Sequence, residues 1–294
     1  PITRYTLKVE VCSNSNPALR DSESCKAYPN GGGAPIYKPV GILHDFGENN
    51  KMYFGLLTGS YQNNTTGGVL RKNIGKFTDE VDPQTGQFRT NVEGLVRNIN
   101  ALKMTDFVYN KAPDYIGGVY SECGWKVDGS IADGNFDSSK CSMWGNPIGE
   151  MMFEGLRYFA GADNALQQYM YGANSKDSKL GFPAPPKWQS PYKTKAEGGG
   201  DFKYCAKPVM TVLSDINPSY DYHLPGSRYA NLSANAARLS SFDVSKETDA
   251  IGTAEGINGK QFFIGQTTSA NADSAPTVKT ISNGLSWVRG LSPE

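Results

Sequence analysis

The sequence predicts an α/β fold: a mostly parallel sheet flanked by helices, with large loop insertions. Three observations carry this. Short apolar runs of strand length alternate with amphipathic helical patterns, the order that builds layered α/β domains. Hydrophobic residues make up 38% of the 294 residues, enough for a sizeable core. The 33 glycines and 17 prolines exceed the usual combined share of roughly 12%, which calls for many loops. One domain over residues 1–294 is expected, with loop excursions at about 12–37 and 172–200.

The elements follow in order. Arg4 to Val11 alternates Tyr5, Leu7, Val9 and Val11 with polar neighbours, the pattern of a half-buried strand. A loop then runs from Cys12 to Tyr37 through Gly31-Gly32-Gly33. Lys51 to Tyr61 is apolar over the length of a more buried strand. Gly67-Gly68 introduces Val69-Leu70-Arg71. Asp82-Pro83-Gln84-Thr85-Gly86 is a turn signal and sets a hairpin over Thr78 to Arg89. Val92 to Phe107 places Leu95, Ile99 and Leu102 at helical spacing.

The clearest helix is Pro147 to Gly161, with Asn146 as N-cap, Pro147 at the first position and Glu150 in the first turn. Its stripe of Ile148, Met151, Met152, Gly155, Leu156 and Phe159 is expected to face the core. Residues 172–200, rich in Pro, Gly, Lys and Ser, read as a surface excursion. Val209 to Ile216 reads as a buried strand sharing a sheet with Lys51 to Tyr61. Leu232 to Phe242 and Lys246 to Ile257 read as helices, and Gln261 to Gly265 as a short buried strand.

Lys+Arg and Asp+Glu are 29 each, so nothing electrostatic favours nucleic acid or an anionic membrane. No apolar run approaches the ~18 residues of a membrane span. The start at Pro1 and the end at Glu294 are expected to be cuts in a longer protein. Cys12 and Cys25 flank one polar loop, and Cys123 and Cys141 another. Each pair suits a disulfide, and with it an extracellular or periplasmic address; the alternative is buried thiols in a reducing compartment. Cys205 is left over.

Catalytic signals are poor. His44 and His223 are the two histidines, and no nucleophile-elbow, zinc-protease or P-loop pattern occurs. The run Ser214-Asp215-Ile216-Asn217-Pro218-Ser219-Tyr220-Asp221 follows the strand at Val209. Asp215, Asn217, Ser219 and Asp221 supply oxygens there that suit a hard cation, Mg²⁺ or Ca²⁺; the alternative is turn capping. Asp133, Asn135 and Asp137 fail the EF-hand pattern, because Ser138 replaces its glycine and Trp144 its final Glu. Loop aromatics, Trp125, Trp188 and Tyr192 among them, suit either sugar stacking or local packing.

Several segments together resemble the type IV pilus tip adhesin and assembly family, the PilC/PilY proteins. They include Tyr5 to Cys12, Tyr37 to Gly41 and Gly67 to Arg71. The most specific is Trp144-Gly145-Asn146-Pro147-Ile148-Gly149-Glu150-Met151 running into Leu156 to Gly161. Cys205 to Pro208, Ser214 to Asp221, Leu224 to Gly226, Thr253 to Ile257 and Val288 to Leu291 complete the set. The resemblance implies a secreted, non-enzymatic protein at the pilus tip that serves attachment and pilus assembly. It implies minor pilins as partners through the rest of the protein, and a host or abiotic surface as receptor. It also implies a von Willebrand factor A-like portion, in which Asp215 fits the later Asp of a metal-ion-dependent adhesion site. The Asp-x-Ser-x-Ser loop of such a site is missing from this sequence. A secreted carbohydrate-binding module is the alternative function, and a secreted hydrolase a third.

Overall fold

Residues 7–64, 66–102, 146–214, 221, 223–226, 239–257, 259–264 and 277–280 are described in a computed structural model. The chain divides into two units, 1–56 with 71–102 and 57–70 with 103–294. Strands β3 (Phe54–Thr58) and β4 (Val69–Gly75) pair with each other, and each runs across the boundary.

In the first unit, Asn16 and Pro17 start a short helix that the sequence reading passed over as loop. The Asn16 side chain accepts from Leu19 N at 3.1 Å and Pro17 fills the first turn of α1 (Pro17–Ser22). A Cys12–Cys25 disulfide brackets α1. Strand β1 (Cys25–Tyr28) then pairs antiparallel with β2 (Ile36–Pro39), so residues 12–37 hold a helix and most of a hairpin. The expected strand at Arg4 to Val11 is not formed over Leu7 to Val11. Leu7, Val9 and Val11 are exposed, because alternation alone makes no strand without a neighbour to pair with.

The core of this unit is Phe77, Val81 and Leu95, with Leu43, Phe54 and Leu56 packed against it. Helix α2 (Ile42–Gly47) ends against Phe77 so closely that a Cβ on Gly47 would stand 2.5 Å from that ring's Cβ. The turn signal at Asp82 to Gly86 holds. Asp82 N donates to Gln87 O at 2.9 Å, Gly86 N to Asp82 O at 2.7 Å, and Val81 bridges antiparallel to Phe88. A single bridge, preceded by a 3-10 turn at Phe77–Asp79, replaces a full hairpin.

Helix α3 (Leu95–Ala101) has no side-chain cap of its own. Glu80 supplies one from a distant turn, accepting from Leu95 N at 2.9 Å and Val96 N at 3.1 Å. Its carboxylate sits where a Cβ on Gly94 would be, only 2.1 Å from it, so glycine is required there. Lys72 Nζ lies 3.7 Å from Glu80; burial lowers the lysine pKa, and the Glu80 and Asp79 charges pull it back up.

In the second unit, α4 (Ile148–Phe159) starts one residue later than expected, with Pro147 in the N-cap position. Its buried residues are Glu150, Phe153, Glu154, Gly155, Arg157 and Tyr158, while Met152 is exposed and Leu156 and Phe159 are half-buried. The apolar stripe therefore does not mark the core face. Coil segments wrap α4 on several sides, and a wrapped helix buries more than one stripe. Phe153 packs with Leu166, Tyr169 and Leu224, supported by Leu239, Phe242 and Val244. Met151 reaches Gly68.

The 172–200 segment is no loose excursion. Leu180, Phe182, Trp188 and Ser190 are buried. Asp177 of α5 (Lys176–Lys179) accepts from Ser60 Oγ at 2.9 Å and Gln62 N at 2.8 Å. Tyr158 Oη donates to Gln189 O at 2.8 Å, and Ser190 Oγ to Tyr158 O at 2.6 Å. Buried polar atoms thus pin a sequence whose composition alone reads as mobile.

Val209 to Ser214 carries no regular strand and is exposed, so the expected sheet partner of Lys51 to Tyr61 is absent and β3 pairs with β4 instead. Helix α6 (Val244–Ala254) starts at Asp243, whose side chain accepts from Ser245 N and Lys246 N. Strand β5 (Gln261–Ile264) pairs antiparallel with β6 (Thr277–Thr280). Residues 232–238 of the expected helix lie outside the described residues.

Glu80→Ala leaves two helix N–H groups without their acceptor and Lys72 without its Glu80 counter-charge. It is expected to destabilise the first unit by about 2 kcal/mol or more, with Glu80→Gln losing less. Urea unfolding of both variants beside the parent checks this, and equal midpoints for all three refute it.

Candidate functional site

Glu150 is fully buried at the start of α4, and three segments meet on it. Its Oε2 accepts from Gly67 N at 2.6 Å. Its Oε1 accepts from His223 N at 2.7 Å and lies 3.0 Å from His223 Nδ1. Gly67 is held at φ +52°, and a Cβ there would stand 2.0 Å from the Tyr169 ring. Only glycine lets the chain turn under that ring and present its N–H to the carboxylate.

Asp221 completes the start of the helix. Pro147 offers no side-chain cap, and Asp221 Oδ1 accepts from Glu150 N at 2.9 Å. Its carboxylate lies over Gly149, 3.0 Å from where a Cβ would be. Burial pushes the Asp221 carboxyl up to about 6; the N–H groups of Glu150 and Gly149 pull it down, and the Glu150 charge raises it. One turn on, burial raises the Glu154 pKa against the pull of Arg157, its ion-pair partner. Glu154 also accepts from Leu166 N at 3.2 Å, and Arg157 Nη2 donates to Asn164 O at 3.1 Å. Burial raises the Tyr169 pKa, and the Glu150 and Glu154 charges add to it.

This cluster is a junction. Both oxygens of Glu150 are committed to backbone donors, so its chemistry is to hold chain segments together. The His223 side chain, 34% exposed, is where it reaches the surface.

A family described as "PilY1 homolog, second domain" matches residues 54–294, a span that begins close to the boundary at Leu57. A type IV pilus biogenesis factor PilY1 homolog from Xylella fastidiosa (strain Temecula1) is 48% identical over 303 residues, covering 100% of this chain. The chain belongs to the PilY1 family. It spans 19% of the length of that PilY1-family relative. No solved structure matches it.

Of the residues that the sequence singles out in this PilY1-family chain, Asp221 caps α4. Asp215, Asn217 and Ser219 lie outside the described residues, as do Trp125, Cys123 and Cys141. Cys12 and Cys25 are joined. Their sulfurs and the Glu23 carboxylate lie within 4.8 Å of one another, but sulfurs bonded to each other are not thiolate ligands. Cys205 carries an exposed free thiol.

Trp188 is only 6% exposed, with the Tyr158 ring edge-on at 5.5 Å and the Arg157 guanidinium 5.5 Å over it. It therefore offers no open face for sugar stacking. It does line a cavity of about 140 Å³ with Asp163, Lys187, Ser190, Lys193 and Glu197. Tyr192 is half-buried and donates its hydroxyl to Ala206 O at 2.5 Å.

From sequence Glu150 stands out only as a first-turn acid, and Gly67, Glu154 and Tyr169 are not singled out as site residues. The signal was present: Glu150 and Glu154 stand one turn apart in a mostly apolar helix, and a carboxylate there must find partners.

Three outcomes follow from this geometry. Glu150→Ala orphans the N–H groups of Gly67 and His223 and is expected to cost about 3 kcal/mol, measurable by urea unfolding. Gly67→Ala is expected to lower the melting temperature more than Gly198→Ala, which has positive φ but open space around it. Asp221 has a raised pKa in the folded state, so the unfolded chain releases that proton first as pH rises. Its contribution is present at low pH and is lost as pH climbs from the ordinary carboxylate range through about 6. Asp221→Asn is expected to flatten the pH dependence of stability in that window; an unchanged slope refutes the assignment.

Proposed function

We propose that this chain is part of a type IV pilus tip-associated adhesin and pilus assembly factor, acting in surface or host attachment and in pilus biogenesis. The observation that carries the reading is the 48% identity, over the whole chain, to a protein named for type IV pilus biogenesis. The Cys12–Cys25 disulfide supports an oxidising, extracytoplasmic setting. Among the described residues no helix is long and apolar enough to cross a membrane. On this reading the protein acts at the pilus tip without catalysis, contacts minor pilins through the rest of the polypeptide, and meets a host or abiotic surface.

The proposal extends to a von Willebrand factor A-like arrangement with Asp215 at a Mg²⁺ or Ca²⁺ site, which rests on the resemblance around Ser214 to Asp221. Asp221 caps α4 through Glu150 N on this reading as well. The second reading, a secreted carbohydrate-binding module, is tested by a glycan array on the folded chain.

The experiment is genetic. In a strain whose chromosomal gene carries an in-frame deletion of residues 57–294, surface pili and twitching are expected to be lost, and the intact gene restores both. Normal piliation and motility in the deletion strain would overturn the proposal.

A further inference from the structure

The segment from Val209 to Ser214 has strand composition without a partner strand among the described residues. Val209 and Leu213 are 71% and 94% exposed, while Met210 and Val212 between them are 43% and 46% exposed. All four are exposed, but less so at Met210 and Val212, the two-residue alternation of an extended chain with one side nearer the protein. The inward face rests on α4. The Met210 sulfur lies over Gly155, 2.8 Å from where a Cβ would be. Ser214 Oγ exchanges two hydrogen bonds with the Asn146 side chain, at 2.8 and 3.1 Å.

Gly155 lies roughly 10 Å along α4 from Ile148, with Asn146 two residues before it, and the four steps from Met210 to Ser214 cover a distance of that order when the chain runs extended at ~3.3 Å per residue. The segment thus bridges the two contacts as an extended chain. Among the described residues, no backbone–backbone hydrogen bond involves residues 207–214. Its outward side chains, Val209, Thr211 and Leu213, are β-branched or apolar.

We propose that Val209–Ser214 is an open β-edge that receives a strand from the same polypeptide outside residues 1–294. An extended apolar chain with unpaired backbone groups templates another strand, and proteins cover such edges. The region matching this chain makes up 19% of the relative's length, so a polypeptide of that kind holds some four times as much chain again to draw on. A strand tethered in the same molecule acts at an effective concentration on the order of millimolar, well above that of a second copy. The inference does not rest on the pilus reading, and its failure leaves that reading untouched.

The test uses the full-length protein. Val209, Thr211 and Leu213 are replaced singly by the photoreactive residue benzoylphenylalanine, in a mixture of isotopically heavy and light copies. Cross-links from all three to one run of residues outside 1–294, stepping two residues at a time and joining only light to light or heavy to heavy, are expected. Cross-links confined to residues 1–294, cross-links between heavy and light copies, or none at all overturn the proposal. Amide exchange on the unsubstituted protein gives an independent reading. The amides of residues 209–214 are expected to exchange at least ~100-fold slower than an unstructured chain, and exchange at the unstructured rate overturns the proposal.

Discussion

A carboxylate with no water around it must be met by donors, and in the second unit Glu150 meets that requirement with backbone N–H groups from two distant segments. Its own backbone N–H is in turn taken by Asp221. The constraint fixes more than one side chain. It sets where Gly67 turns beneath Tyr169, where the chain at His223 must pass, and how α4 begins. The first unit repeats the device with Glu80 at α3. In both units the helix lacks a local cap, a remote acid replaces it, and a glycine (Gly94 or Gly149) leaves room for the acid to approach.

Local signals were legible in the sequence and long-range ones were not. Helix α4 could be read from its periodicity and from Pro147, and α6 lay within two residues of its expected start. The Asp82 to Gly86 turn followed from its residue types. The face of α4 that is buried could not be read, because the choice depends on coil segments folding back over it. The same limit explains residues 172–200. Composition says surface, but Asp177, Ser190 and Trp188 find buried partners that no local pattern announces. Leu7 to Val11 and Val209 to Ser214 show the converse, since both carry strand pattern and neither has a partner strand among the described residues.

At the site, Asp221 stands out in the sequence by its place in an oxygen-rich run that suits either a cation or capping, and it caps α4. Trp188 reads as a loop aromatic suited to stacking or to packing, and it is packed. A polar or aromatic residue in a Pro/Gly-rich stretch looks exposed until the rest of the chain has closed over it.

The two remote caps also differ in how soon each can form. Glu80 lies 15 residues from Leu95, so the first unit can secure its helix from nearby chain. Glu150 lies 83 residues from Gly67 and 73 from His223. During synthesis or export, a chain that emerges N-terminus first therefore carries α4 for some seventy residues before Asp221 can cap its start and His223 can complete the partners of Glu150. That interval, rather than the finished fold, is where this protein is most open to misassembly.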